Sequence, residues 1–437
     1  MTRHHLQFLA LAVLHTATAL RLAVTGAAGY LGAEIACMAT SQGHSVRAVV
    51  KEGQCTAHLA NCAEICRVDD LCDLAVAREI AEGVDAVIHA ASVFRKCEDM
   101  ELDLVTPNIA LAESMVCACA AFDTRLVLTS SMAAVRGTGQ TPLSGDAYTA
   151  ADWNTVSARD GPGFEPYQFS KAESERIAWD LAKQFGVQMV SVCPSMIFGP
   201  PRDGCAGFSV AMVQAWLDGK SPVQSRLVVD VRDVAQAHIA AATAKHAAGK
   251  RYICSTEARV PATECADALR SRLIALGREE EASRITVDED FDGGAIPIGA
   301  QEVVADAGMA ELGVACRSTA QTLSDMAEAL ATAVDARDAQ GETALIRAAE
   351  AGDAARVREL LAEGASAIAA SYSGWTALHG AAECGSAEVV SVLAAAGGEV
   401  SARAASGKTP LDIARQYQRP QAATKLEELG AAANVSG

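Results

Sequence analysis

The sequence predicts a doubly wound α/β domain on a parallel sheet, followed by a smaller lobe and then an all-helical repeat array. Three observations carry that prediction. From residue 20 onward, short β-rich runs alternate with stretches of helical length, as a parallel sheet with crossover helices requires. A glycine-rich loop, "TGAAGYLG" (25–32), follows the first of those runs and opens a helical stretch. Near the end, Gly341, Gly374 and Gly407 recur every 33 residues, as do Thr343, Thr376 and Thr409, then Leu345, Leu378 and Leu411.

In chain order, Arg3 and two histidines precede "FLALAVL" (8–14) and "ATA" (17–19), the charged, apolar and small-residue zones of a signal peptide. The apolar run is too short to span a bilayer. Residues 1–19 are therefore expected to be a targeting segment, with the cytoplasm as the default destination otherwise. The expected strands are "LRLAVTG" (20–26), "HSVRAVV" (44–50), "DAVIHAA" (85–91), "RLVLTSS" (125–131) and "VQMVSVCP" (187–194). Helices are expected near 33–42, 74–82 and 108–121 between them. The alternation weakens after residue 194, so a substrate lobe is expected over 195–333, with a charged, Gly-rich surface loop near 288–294. The units "GETALIRAA", "GWTALHGAA" and "GKTPLDIAR" then resemble ankyrin repeats over 335–433. Three such units stack to bury what one alone exposes. They imply an unidentified protein partner, and His379 matches the repeat's structural histidine.

Composition narrows the function. A formal charge of −18 over 437 residues, without a Lys/Arg cluster, argues against a nucleic-acid surface or a polybasic membrane patch. The 14 cysteines lack zinc-ligand spacing and read as small buried apolar residues, so no metal site is expected.

The glycine loop carries the first chemistry. Gly26 permits the tight turn, Gly29 lets the backbone approach a pyrophosphate, and Gly32 allows close helix packing, with Tyr30 and Leu31 opening the helix whose N-terminus faces the phosphates. This is the Rossmann fingerprint in its proper strand-to-helix setting. The second strand, "VRAVVKEG", offers Arg47 and Lys51 and no acid before Glu52, which favours the 2′-phosphate of NADP(H) over the ribose hydroxyl of NAD. "YQFSK" adds Tyr167 and Lys171 at i and i+4, a phenol and an ammonium on one helix face.

Taken in order, "VTGAAGYLG", "VRAVVK", "DAVIHAAS", "VLTSS", "YQFSKAESERIAW", "CPSMIFGPP" and "RYICS" resemble the extended short-chain dehydrogenase/reductase family, nearest its dihydroflavonol and cinnamoyl-CoA reductase branch. The resemblance runs from residue 20 to about 333. It implies that Ser131 holds a substrate carbonyl, Tyr167 protonates it, and Lys171 binds the nicotinamide ribose and lowers the tyrosine's pKa. It also implies that Asp70 and Leu71 flank the adenine, Ala90 and Ala91 the adenosine side, and Pro194 and Ser195 the nicotinamide. The family's asparagine position is not clearly matched. Asn108 is a candidate whose expected role is a helix N-cap. Met132 stands where the family places a small residue and is expected to narrow the site. Cys193 is expected to pack in its strand. The expected function is a carbonyl/alcohol oxidoreductase using NADP(H). A nucleotide-sugar epimerase or 3β-hydroxysteroid dehydrogenase-like enzyme, and a non-catalytic NADP(H)-binding scaffold, remain as alternatives.

Overall fold

The computed structural model describes residues 19–435 apart from 55, 95–98, 144, 203–204, 206, 289–302, 306–307, 334–341 and 372. The signal-like segment and almost all of the Gly-rich loop lie outside the described residues.

Seven parallel strands form the central sheet in the order β3-β2-β1-β4-β5-β6-β9. They are β1 (Arg21–Thr25), β2 (Ser45–Lys51), β3 (Glu64–Val68), β4 (Ala86–His89), β5 (Arg125–Thr129), β6 (Met189–Pro194) and β9 (Arg251–Cys254). β7 (Met196–Phe198) and β8 (Val228–Asp230) pair apart from it. The chain winds outward from β1 to β3, then returns to β4 on the other side of β1, so the crevice between β1 and β4 is the topological switch point where open α/β sheets bind ligands.

Helices α1 (Tyr30–Ser41), α2 (Leu74–Ala81), α3 (Thr106–Phe122), α4 (Met132–Val135), α5 (Glu165–Phe185), α6 (Phe208–Leu217) and α7 (Val231–Thr243) complete this part. One sheet face buries Leu22, Val24, Val46, Ala48, Val127 and Val190 against α1 and α7. The other buries Ala23, Val87, Leu126 and Met189 against α2, α3 and α5. Strands covered on both faces read as nearly continuous apolar runs. A π-helical turn, Glu101–Val105, leads into α3, and the joined segment is apolar and long enough to cross a membrane. Here it packs between α2 and α5, with Met115, Val116 and Cys119 fully buried, as a core helix of the α/β layer.

The smaller lobe centres on Phe198, Trp216, Leu269, Leu273, Leu323 and Met326, and draws on α8 (Ala262–Ala275), α9 (Glu279–Arg284) and α11 (Thr319–Thr332). The short α10 (Gly308–Glu311) sits against β9. Then come three helix pairs, α12 (Ala344–Glu350) with α13 (Ala354–Ala362), α14 (Ala377–Cys384) with α15 (Ala387–Ala395), and α16 (Pro410–Gln416) with α17 (Pro420–Val435). Each first helix starts at a threonine of the repeating column: Thr343 accepts from the Ile346 amide, Thr409 from the Asp412 amide, and Thr376 pairs with His379 in a capping box. His379 also reaches the Lys408 carbonyl through Nε2 at 3.1 Å, joining the second unit to the third. It is a structural histidine, as the sequence implied.

Candidate active site

The sheet's C-terminal edge collects most of the residues singled out in the sequence. Gly26 turns the chain at φ 69°, and a Cβ there would lie 2.9 Å from the Ala91 amide nitrogen. A Cβ on Gly32 would collide with the Gly26 carbonyl oxygen, and one on Gly29 would crowd the same atom at 3.2 Å. Gly26, Gly29, Gly32, Ala90 and Ala91 thus form one cradle across β1 and β4. Beneath it, Thr25 Oγ1 bonds His89 Nδ1 at 2.8 Å and accepts from the Ala91 amide at 3.2 Å, locking the two strand ends together.

Tyr30 and Leu31 turn their side chains away from the cradle. The Tyr30 hydroxyl donates to the Gly199 carbonyl at 2.7 Å, and burial together with Asp230 pushes its pKa well up. Leu31 packs on the main core. What these residues leave to a ligand is backbone: α1 begins at Gly29 without a side-chain cap, so its first amides have no side-chain acceptor.

Arg47 is a correction. Instead of facing the nucleotide, its Nε holds Glu64 at 2.7 Å, and its Nη1 donates to the carbonyls of Glu79, Ile80 and Glu82 at the C-terminal end of α2. The reason is register. Strand residues advance about 3.3 Å each, so Arg47, four residues before Lys51, sits at the opposite end of the strand from the binding edge. Lys51 does end β2 at that edge and is exposed. The sequence reading missed Arg67, near the end of β3, which donates to the Gln54 carbonyl and Thr56 Oγ1 in the loop after Lys51. Asp70 and Leu71 follow β3 at the same edge, with Asp70 Oδ1 accepting from the Cys72 amide. Pro194 closes β6, and the hydroxyl of Ser195 is buried without a hydrogen-bond partner among the described residues.

The reacting end is built from α5 and the end of β5. Ser131 stands at the N-cap of α4, where its Oγ accepts from the Ala133 amide, and Tyr167 lies beside its hydroxyl. Burial raises the Tyr167 pKa, and Ser131 is the group that opposes the rise. Lys171 does not lower it here. Its ammonium donates instead to the Thr129 carbonyl at 3.0 Å and to Ser92 Oγ at 3.5 Å, and burial pulls its pKa down to about 8. His89, fully buried and near Lys171, is driven down to about 3 and is neutral at pH 7.

Asn108 is a second correction. Helical backbone already precedes it from Glu101, so it has no N-cap to make. From inside α3 it accepts from the Val93 amide at 2.7 Å and from Ser92 Oγ, and donates to the Val93 carbonyl and to Ser170 Oγ. It thereby fixes the loop after β4 against the residue next to Lys171. Met132 packs inward with Tyr148, Cys193 and Ile253, so it fills core beneath the site and does not narrow the mouth. Cys193 is fully buried, with its thiol pushed up to about 12 by burial, and packs in its strand.

Two features here were not singled out in the sequence. Glu175, one further turn along the Tyr167–Lys171 face, is completely buried and accepts from Ser130 Oγ at 2.7 Å, Ser191 Oγ at 2.6 Å and Arg251 Nε at 2.7 Å. Above Tyr167, Phe94 lies 4.4 Å from its ring centroid, and Phe164 and Phe208 lie 6.4 and 4.9 Å from Phe94. All three phenylalanines are partly exposed. The pocket below is lined by His89, Ser92, Asn108, Ser130, Lys171 and Glu175 among others. The Cβ-free cradle, the uncapped α1 and the unpartnered Ser195 hydroxyl fit a dinucleotide laid along this edge.

Residues 312–404 match the family model "Ankyrin repeats (3 copies)", a span that starts before α12 and ends before α16. Cinnamoyl-CoA reductase 1 of Arabidopsis thaliana is 30% identical over 252 residues, which cover 54% of this chain and 70% of that protein. An anthocyanidin reductase of Vitis vinifera is 27% identical over 264 residues, covering 54% and 77%. Among solved structures, yeast methylglyoxal/isovaleraldehyde reductase Gre2 complexed with NADPH superposes with a TM-score of 0.61 at 21% identity, covering 71% of this chain and 98% of that one. Vestitone reductase from alfalfa gives 0.57 at 23%, covering 71% and 97%; at such identities the likeness shows the fold. Residues 22–254 match the model of the NAD dependent epimerase/dehydratase family, and with a parallel sheet wound in that order around a glycine cradle, the chain belongs to that family.

Proposed function

We propose that the chain is an NADP(H)-dependent oxidoreductase that reduces an apolar, aromatic-sized ketone or aldehyde. The observation that carries the reading is the meeting of Ser131, Tyr167 and Lys171 beside the glycine cradle at the sheet's switch point. NADP(H) is favoured by Lys51 and Arg67 at the nucleotide edge, and by the NADPH held in Gre2 from yeast and from Candida albicans.

When bound, the dinucleotide supplies or accepts the hydride. The Ser131 hydroxyl donates a hydrogen bond to the carbonyl oxygen and so stabilises the negative charge that develops on it. Tyr167 then gives that oxygen its proton. A phenol with a raised pKa is fully protonated at neutral pH, yet remains a stronger acid than the alcohol being formed, so the transfer is favourable. Lys171, anchored at the Thr129 carbonyl, puts a positive charge beneath the site and would hold the ribose side of the cofactor. Phe94, Phe164 and Phe208 present apolar ring surface over Tyr167 and exclude water from the reacting oxygen. Such walls favour flat apolar carbonyls over hydroxyl-rich sugar nucleotides, which weighs against the epimerase alternative. The test is NADPH and NADH oxidation by the full chain against aromatic aldehydes and ketones, short aliphatic carbonyls, acyl-CoA thioesters and sugar nucleotides. Turnover confined to sugar nucleotides, or none with any carbonyl, would refute the proposal.

A further inference from the structure

We propose that Glu175 is a positioning residue for this chemistry: from the third turn of the reactive face of α5 it fixes the strand end on which Ser131 stands. The inference rests on the Ser131–Tyr167–Lys171 reading above. Tyr167, Lys171 and Glu175 succeed one another at i, i+4 and i+8, so they share one face of α5. Each faces one of three consecutive residues, Thr129 to Ser131, at and just beyond the end of β5. Tyr167 meets the Ser131 hydroxyl, Lys171 donates to the Thr129 carbonyl, and Glu175 accepts from Ser130 Oγ.

The carboxylate is braced from the far side. Arg251 of β9 donates to it through Nε at 2.7 Å and Nη2 at 3.0 Å, while its Nη1 donates to the carbonyls of Ala150 and Asp152 and its guanidinium lies 3.8 Å from the Trp153 ring centroid. Ser191 of β6 and Trp179 of α5 also donate to Glu175. A buried ion pair is weak evidence for stability, because apolar residues of similar volume often serve as well. A carboxylate whose acceptor positions are this fully used, and which grips the residue adjoining Ser131, is explained by the geometry it imposes.

The same placement governs charge. Lys171 is faced by His89 from β4, by Cys193 from β6, and by Tyr167 and Glu175 from its own helix. His89 and Cys193 are neutral at pH 7, so Glu175 is the anion among these groups that favours the ammonium. Glu175 itself faces Arg251, Cys193 and Lys171.

The test compares Ser130→Ala, Glu175→Asp, Glu175→Gln/Arg251→Met and Tyr167→Phe in the full chain. Two measurements are made: hydrogen exchange of the 128–135 amides without cofactor, and NADPH oxidation against pH with the best carbonyl of the panel. Ser130→Ala and the double variant should exchange faster at 129–131 and lose at least about tenfold in kcat with little change in KM, as small misplacements of reacting groups do. The double variant should also move the alkaline limb of its rate profile to lower pH, and Glu175→Asp should recover part of the loss. Exchange and alkaline limb both unchanged in the two variants would overturn the proposal. If the double variant does not fold, Ser130→Ala decides by the same exchange and kcat criteria. An active Tyr167→Phe would instead sink the reading of Tyr167, leaving the exchange data to judge the grip of Glu175.

Discussion

The sheet region and the helical array hold their polar groups in opposite ways. In the sheet region the decisive contacts join residues far apart in the chain: Glu175 to Arg251 across 76 residues, Thr25 to His89 across 64, Arg202 to Glu34 across 168. In the array each threonine cap closes within three residues, and the core of Leu345, Leu378, Val389, Leu393 and Ile413 shares no residue with the other cores. Chemistry needs groups from several strands aimed at one atom, which only long-range closure supplies. A repeat needs only its neighbour, so its interactions stay local and its stability is a sum over units.

The largest break in that comparison is chemical. Tyr167→Phe should lower kcat by about 10²–10⁴-fold, the usual contribution of a positioned proton donor, while leaving NADPH affinity and melting temperature close to those of the parent. Steady-state rates beside fluorescence titration of NADPH check it. In the array, Leu378→Ala removes a fully buried side chain and should cost about 2–5 kcal/mol in the array's unfolding transition, with kcat within a few-fold of the parent. A single unfolding transition, weakened throughout, would show that the two regions fold as one unit.

pH sharpens the contrast, because the buried ammonium among the described residues, Lys171, is in the sheet region. Lys171 titrates at about 8 in place of its usual 10.5, so kcat/KM should fall as pH rises through about 8, by roughly tenfold per unit beyond it. Its effect on stability has the opposite sign. Between about 8 and 10.5 the unfolded chain still holds the proton that the folded chain has released, so this group's contribution to stability rises with pH across that window. Rates and denaturant midpoints measured from pH 7 to 10 should therefore diverge, and Lys171→Met should remove both trends.

Smaller effects follow from charge and caps. Lys51→Asp should shift cofactor preference toward NADH by about tenfold or more, since it adds repulsion against a 2′-phosphate. Arg47→Ala should weaken the fold and leave that preference alone, as measured by the ratio of kcat/KM for the two cofactors. Thr409→Ala should cost about 1 kcal/mol, visible only in the array's unfolding midpoint.

The strands that form the middle of the sheet were legible because burial on both faces makes them apolar runs. β3 was not. It lies at the sheet edge, and Glu64 and Arg67 interrupt its apolar pattern. β9 is four residues long and starts with the arginine that pairs with Glu175. Within the site, the glycine loop and "YQFSK" could be read because their spacing is itself the geometry. Arg47 misled because nearness to a strand end in sequence says nothing about which end of the sheet a residue reaches. Phe94, Phe164 and Phe208 gave no signal, since what unites them is tertiary closure between segments that carry no common motif, whereas the i+8 spacing of Glu175 from Tyr167 was legible and only its buried partners were not.

The threonine column of the array has a consequence for descent. Each unit begins with a threonine cap at the same place in a 33-residue period, so a duplication or loss of one whole unit keeps a threonine cap at every seam. Gene copies recombining within this segment would lengthen or shorten the array in integer steps without disturbing a single residue of the α/β domain. Among descendants of this fusion, unit number is then free to drift while the distance from Tyr167 to Lys171 and Glu175 is not.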